Sequence, residues 1–329
     1  MRAAVCPAYG PPEVVRVAEH PAPALSPGQI RVRVAAAAVN FPDVLLIANQ
    51  YQISVPPPFV VGSEFAGVIT ETADESTDFA VGDRVTGTGL YGAFAEQVVV
   101  STTGLTRIPD GVDEHTAAGF GVAYRTAYHT LRSTAQIRPG DELIVLGAGG
   151  GVGLAAVQLG VQLGARVTAV ASSDDKLEVA ASYGAATLIN YRAADVRTAL
   201  RAALPDGAAA VLDPVGGELS EPALRSLRRG GRFVTVGYAS GVIPRIPLNL
   251  VLVKGIQILG FQFQDVPPDE FRRNEDELRN LLVERKVSPH IGAVYPLAET
   301  AAALRHVADG RAIGKILIEL SEDAAAATD

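Results

Sequence analysis

Alternation of apolar and polar positions dominates the first third of the chain. It predicts short strands at Ala3–Cys6, Val14–Ala18, Gln29–Ala38, Ser63–Glu71, Arg84–Gly87 and Ala93–Ser101. Gly10-Pro-Pro12, Ser26-Pro-Gly28 and Val81-Gly-Asp83 punctuate them as turns. From about 123 to 263 the pattern changes to strand and helix in turn. Helices are expected at 123–134, from 151, and at 177–183, 196–203 and 222–227, with strands at 143–146, 167–171, 187–189, 209–212, 232–236 and 256–261. That alternation predicts a doubly wound parallel sheet. Beyond it come helices around 267–286 and 298–308. A last strand, Lys315–Glu319, has the β character to rejoin the first lobe, and Ala324–Ala327 reads as a frayed end. The expected organisation is a β-rich lobe from 1–122 and 265–329, interrupted by a doubly wound domain over 123–264.

One segment carries more chemistry than any other. The apolar strand Glu142-Leu-Ile-Val-Leu146 runs into Gly147-Ala-Gly-Gly-Gly-Val-Gly153, which opens directly into a helix. Glycines permit the tight turn, let backbone N–H groups approach a pyrophosphate and let the helix pack on the sheet, while the helix N-terminus favours the anion. The register is A-x-G-x-x-G, with Ala148 first, Gly150 second and Gly153 third, and Gly151 and Val152 between. This predicts dinucleotide binding. An NAD-selecting fold places Asp or Glu about 20 residues after the turn, at the end of the next strand. Ala171 stands there, followed by Ser172, Ser173 and Lys176, hydroxyls and a cation suited to a 2′-phosphate, so NADPH is expected over NADH. Ser172 and Ser173 also suit the cap of the next helix, and Asp174 and Asp175 oppose a phosphate if they point inward.

Composition narrows the classes. A length of 329 residues allows two domains, and 33 glycines suit an α/β protein with many tight turns. A single cysteine, Cys6, excludes an internal disulfide or a thiolate metal cluster, and the five histidines lack ligand spacing. No metal is expected. A net charge of −8 without a Lys/Arg run argues against a nucleic-acid partner. No uninterrupted apolar run of about 18 residues predicts a membrane span, and the N-terminal stretch reads as a strand rather than a signal, so a cytoplasmic location is expected.

Several further motifs occur in order: Val39-Asn-Phe-Pro-Asp43, Gly62-Ser-Glu-Phe-Ala-Gly-Val68, Val81-Gly-Asp-Arg-Val85, Gly92-Ala-Phe-Ala-Glu96, Thr126-Ala-Tyr128, Ile189-Asn-Tyr191, Asp213-Pro-Val-Gly-Gly217, Gly230-Gly-Arg232 and Gly314-Lys315. With the glycine turn they resemble the medium-chain dehydrogenase/reductase superfamily, and within it the zinc-less NADPH:quinone oxidoreductases, over essentially the full length. The resemblance implies a GroES-like β-rich catalytic lobe and a Rossmann domain. In zinc-bearing relatives Asn40 would be Cys and Ser63 His, and four further cysteines would hold a structural zinc. Their absence removes the Lewis acid of alcohol oxidation and leaves acceptors that take hydride without a metal.

By that resemblance Asn40 lies on the substrate wall, Thr126 near the nicotinamide, and Tyr51 lines the cleft. Arg125 is expected to bond an acceptor oxygen or a substrate carboxylate or phosphate, or else to form an ion pair at the helix start. Tyr191 is placed toward the 2′-phosphate or adenosine. Val215, Gly237, Tyr238, Phe261 and Phe263 come from strand ends facing nicotinamide and ribose, and Lys315 is placed toward the phosphates or else stands as a strand-edge lysine. The run Ile243–Leu259 resembles the segment that joins two such sheets edge to edge in a homodimer. Three functions follow as expectations: reduction of a quinone by NADPH, reduction of an enone or 2-enoyl thioester such as enoyl-CoA, or NADPH binding in a structural or sensing role with little turnover.

Overall fold

The computed structural model describes residues 1–74 and 78–320. The expected frayed end at 324–327 lies outside the described residues. The chain divides into two compact units, Met1–Val122 with the chain from Pro289 on, and Ala123–Ser288.

The first unit is built from strands. Its larger sheet runs in the order Ile291–Pro296, Lys315–Glu319, Gln29–Val39, Glu64–Thr72, Arg84–Thr88, Leu105–Arg107, with Gln97–Ser101 also on Gln29–Val39. A smaller sheet orders Arg16–Glu19, Arg2–Cys6, Phe59–Val60. Alternation along Gln29–Val39 buries Ile30, Val32 and Val34 against Ile69, Phe65, Phe94 and Ile47, the burial that fixes strand register. That register places the site residues. Ile316 pairs with Val39, so Lys315 comes to lie beside Asn40, and Phe65 pairs with Ala37, which brings Glu64 alongside. A short helix the periodicity did not announce, Phe41–Ile47, starts at Asn40, whose backbone N–H donates to the Asp43 carboxylate. That is the reach-back of a capping box.

The second unit holds a six-stranded parallel sheet in the order Thr187–Asn190, Arg166–Ala171, Glu142–Leu146, Ala208–Asp213, Leu227–Thr235, Gln257–Gly260. Numbered from its own first strand this is 3-2-1-4-5-6, the doubly wound order whose switch point, between Glu142–Leu146 and Ala208–Asp213, is where ligands bind. Those central strands are sealed on both faces, as parallel strands under helices must be.

Two expectations shift. The helix expected at 123–134 begins at Glu114, runs to His129 and ends in a π turn, Thr130–Thr134; Gly119 and Gly121 had masked its start. The expected return to the lobe at 265 comes later, since the second unit continues to Ser288. There Gln158 both donates to the Ser288 carbonyl and accepts its N–H, and the Tyr124 hydroxyl donates to the same carbonyl. Helix Pro268–Val283 is held to the same unit through Glu275 and Glu277, which pair with Arg125, His129, Tyr128 and Arg132.

Candidate active site

In the second unit the strand ending at Leu146 turns at Gly147, where φ is +62°, a conformation glycine adopts without penalty. Gly150 caps helix Gly151–Gln162. A Cβ on Gly153 would lie 2.0 Å from the Gly147 carbonyl oxygen, so only glycine lets the first helical turn sit on the strand end. Ala148 is sealed, and its N–H donates to the Val170 carbonyl at 3.0 Å, tying the turn to the next strand. The leading N–H groups at Gly151, Val152 and Gly153 have no partner within a helix, and the dipole adds partial positive charge. This cradle fits a dinucleotide pyrophosphate.

Beside it, the stem of Lys176 packs over Gly149, where a Cβ would meet Lys176 carbons at 2.6–2.7 Å. Lys176 Nζ donates to Ser172 Oγ at 3.2 Å. Burial, and after it the Arg192 cation, lower the Lys176 pKa. Arg192 was no part of the sequence expectation. Asp174 and Asp175 are exposed, and Asp174 Oδ1 accepts from Asn190 Nδ2 at 2.8 Å. Ser173 is the N-cap residue, without a side-chain cap bond. The Tyr191 N–H donates to the Ala171 carbonyl at 3.0 Å.

At the switch point Val215 stands over Gly147, within 2.6 Å of where its Cβ would be. Asp213, to which the sequence assigned no role, is buried and shapes this loop. It accepts N–H groups from Val215 and Gly216 at 2.8 Å each and the Ser220 hydroxyl at 2.6 Å. A Cβ on Gly216 would come within 2.9 Å of the exposed Tyr238 ring, and the Gly237 N–H reaches the Asp213 carbonyl at 3.4 Å. Phe261 is buried with Phe263 edge-on at 5.0 Å.

Arg125 takes the ion-pair alternative: its Nε donates to Glu275 at 3.0 Å, and its guanidinium lies over Phe263 and Phe271, 5.6 Å from each ring centre. Glu275 also pairs with the buried His129 at 2.7 Å. Burial pushes its carboxyl up, yet His129 and Arg125 together hold it below its ordinary value. Thr126 is half-buried on the same helix.

In the first unit the positions expected on the substrate wall form a buried cluster. Lys315 Nζ donates to Asn40 Oδ1 at 2.5 Å and Glu64 Oε2 at 3.0 Å. Asn40 Nδ2 lies 3.1 Å from Glu64 Oε2 and 3.4 Å from Ser63 Oγ, and Glu64 Oε1 accepts the Val122 N–H at 2.6 Å. This corrects the expectation for Lys315. It is sealed at 3% exposure with its charge compensated by Glu64, because the register of its strand sets it opposite Asn40 rather than at a phosphate. Asn40 is committed through both amide atoms. Tyr51 is half-buried and packs against the core of this unit.

A parallel sheet in this order with a glycine cradle at its switch point, together with a β-rich unit, defines a two-unit dinucleotide-dependent dehydrogenase or reductase. Residues 26–110 match the model for the alcohol dehydrogenase GroES-like domain, and residues 151–280 that for zinc-binding dehydrogenases. The chain is 34% identical over 326 residues to quinone oxidoreductase-like protein 2 of Bos taurus, covering 97% of this chain and 92% of that protein. It is 35% identical over 305 residues to the polyketide synthase GfsB of Streptomyces halstedii, 89% of this chain but 5% of the synthase. Among solved structures, an NAD-dependent alcohol dehydrogenase superposes with a TM-score of 0.89 at 30% identity, covering 98% of this chain and all of the other. Escherichia coli quinone oxidoreductase complexed with NADPH gives 0.89 at 25% identity, covering 97% and 100%. The chain belongs to the quinone oxidoreductase family of the medium-chain dehydrogenase/reductase superfamily, and it is an oxidoreductase.

The zinc in the name of the matched model does not fit the residues here. Asn40 and Ser63 are poor zinc ligands beside thiolate and imidazole. The oxygens of Asn40 and Glu64 already hold an ammonium. Among the described residues no group of three or more His, Cys, Asp or Glu side chains is placed to bind a metal.

Proposed function

We propose that this protein reduces a quinone with NADPH and uses no metal. The observation that carries the reading is the cationic corner of Ser172, Lys176 and Arg192 beside the cradle, next to a strand that ends in Ala171 rather than a carboxylate. Two cations and a hydroxyl suit a 2′-phosphate, and Tyr191 follows on the neighbouring strand. Gly150, Gly151, Val152 and Gly153 would hold the pyrophosphate through backbone N–H groups, with Ala148 fixing the turn. Val215, Gly237, Tyr238 and Phe261 would border the ribose and nicotinamide. NADPH, when bound, supplies the hydride. The protein's part is to orient a flat acceptor and exclude water around it. In the second unit Thr126 would lie toward the nicotinamide; in the first, Tyr51 and the fixed Asn40 are the residues proposed to face the acceptor.

A second reading, reduction of an enone or 2-enoyl thioester, is supported by the 35% identity to a segment of a polyketide synthase. Both readings separate in one assay: NADPH oxidation with a small benzoquinone, a simple enone and a 2-enoyl-CoA, repeated with NADH. Preference for the quinone with NADPH is expected. Preference for the enoyl-CoA moves the function to carbon–carbon double bonds. Tight NADPH binding with negligible turnover of all three would leave a binding or sensing role. The proposal includes a cytoplasmic homodimer, supported by Ile243, Leu248, Leu252 and Val253, exposed near the edge strand Gln257–Gly260. No helix among the described residues is long and apolar enough to cross a membrane.

A further inference from the structure

At one end of its parallel sheet the second unit gathers cations that the cofactor reading does not use. Helix Val196–Ala203 with the loop after it, the end of helix Ser220–Arg225 and helix Asn249–Lys254 border a cavity of about 460 Å³. It lies at the entries to strands Ala208–Asp213 and Leu227–Thr235, whereas the cradle follows the exit of the parallel strand Glu142–Leu146. Ala208–Asp213 spans roughly 17 Å at about 3.3 Å per residue, so the two sites are separate. Arg197, Arg201, Arg225, Arg228, Arg229 and Lys254 all reach the cavity, and Asp206 is the only acid on its lining among the described residues. Glu221 pairs with Arg225 at 2.6 Å and Asp141 with Arg228 at 3.0 Å. Among the described residues no carboxylate pairs with the other four cations. Arg229 Nη1 donates to the Val253 carbonyl at 3.1 Å, and Lys254 Nζ donates to the carbonyls of Arg225 and of Leu227, the latter at 2.7 Å. Carbonyls fix these heads without neutralising them, and they use two of the three donors of the ammonium.

Arg197 and Arg201 stand four positions apart on their helix, the spacing at which like charges face one another and repel. In a chain of net charge −8, this concentration of one sign is unfavourable unless an anion offsets it. Burial, and after it the Arg225 cation, lower the Lys254 pKa, a second sign of crowded positive charge. A single carboxylate is too little to match four cations. A chain of phosphates carries several charges in a small volume and offers paired oxygens to guanidinium forks. Buried Leu204, Leu227 and Leu250 add an apolar floor, and the volume is that of a small-molecule site. We propose that this cavity binds a small molecule bearing a di- or triphosphate, at a site distinct from the cofactor cradle. The inference goes beyond the hydride-transfer reading and does not depend on it.

The test is calorimetric titration of the full chain with inorganic tripolyphosphate, beside the double variant Arg197→Ala, Arg201→Ala. The wild type should take up one tripolyphosphate per chain at the cavity. The double variant should bind it at least about tenfold more weakly, the scale of losing charge-assisted hydrogen bonds. Both arginines are exposed, so the variant should melt with the wild type. Uptake by the cradle as well would appear as a further site, displaced by NADPH and untouched by the arginine substitutions, and the variant would then lose one site of two. No binding by the wild type, or equal binding by the double variant, overturns the proposal. So does loss of all binding when NADPH is added, which would put the anion in the cradle alone. Citrate, an anion built of carboxylates, should bind at least about tenfold more weakly than tripolyphosphate; equal affinities would overturn the assignment to phosphate. The arginine variant locates the anion even in a chain that binds no NADPH, so failure of the cofactor reading and failure of this one remain distinguishable.

Discussion

The cofactor cradle of the second unit and the charge cluster of the first are built in opposite ways. The cradle is backbone: glycines at 147, 150 and 153, a helix end and a strand end within seven residues of one another. The cluster is side chain: Asn40, Asp43, Ser63, Glu64 and Lys315, with Glu64 and its cation 251 positions apart in the chain. A backbone site follows from local geometry and tolerates any side chain that fits. A buried charge cluster holds only while every partner is present.

That contrast can be broken, and the largest effect should come from the cluster. Lys315→Met leaves Glu64 buried without its cation and should cost about 3–5 kcal/mol, read as a lowered melting temperature. Adding Glu64→Gln should recover most of the loss. A melt unchanged in Lys315→Met would erase the distinction. Gly153→Val drives a side chain into the Gly147 carbonyl and should cost about 1–3 kcal/mol by overpacking, with at least a tenfold weaker NADPH affinity by fluorescence titration. Lys176→Ala should leave the cradle intact and reduce the preference for NADPH over NADH by about tenfold, or about 1.4 kcal/mol. Equal losses for both cofactors would show that Lys176 serves the turn and not the phosphate.

The smallest effect sharpens the cluster itself. The folded pKa of Asp43, about 7, lies above its ordinary 3.8, so the folded state binds the proton more tightly than the unfolded chain. Stability from this group is complete below about 3.8 and is lost as pH rises through about 7. Melting curves of the wild type should therefore decline toward alkaline pH more steeply than those of Asp43→Asn. Parallel curves would mean that Asp43 is ionised throughout.

What the sequence disclosed follows the same division. The glycine turn, the doubly wound order and the last strand at Lys315–Glu319 were legible because each depends on residues close together. Arg192 was missed although it follows Tyr191, since its only signal is the neighbouring strand that brings it to Lys176. Lys315 was assigned to the phosphates because its pairing depends on strand register, which no spacing records. Two acids flanking apolar stretches, Asp43 and Glu64, were the available hint that a buried cation had to exist. The start of helix Glu114–His129 was hidden by glycines whose reason is tertiary: a Cβ on Gly121 would come within 2.9 Å of Glu64 Oε1, and one on Gly119 within 3.0 Å of Ile291.

Because the turn at Gly147–Gly153 holds no ionisable side chain, the proposed anchor and the proposed selectivity corner are separate parts of the second unit. The turn is constrained by close backbone contacts, whereas Lys176 meets it only through its aliphatic stem over Gly149 and Arg192 follows the neighbouring strand. On the proposed reading, preference between the phosphorylated and unphosphorylated nicotinamides can change through a few substitutions outside the turn.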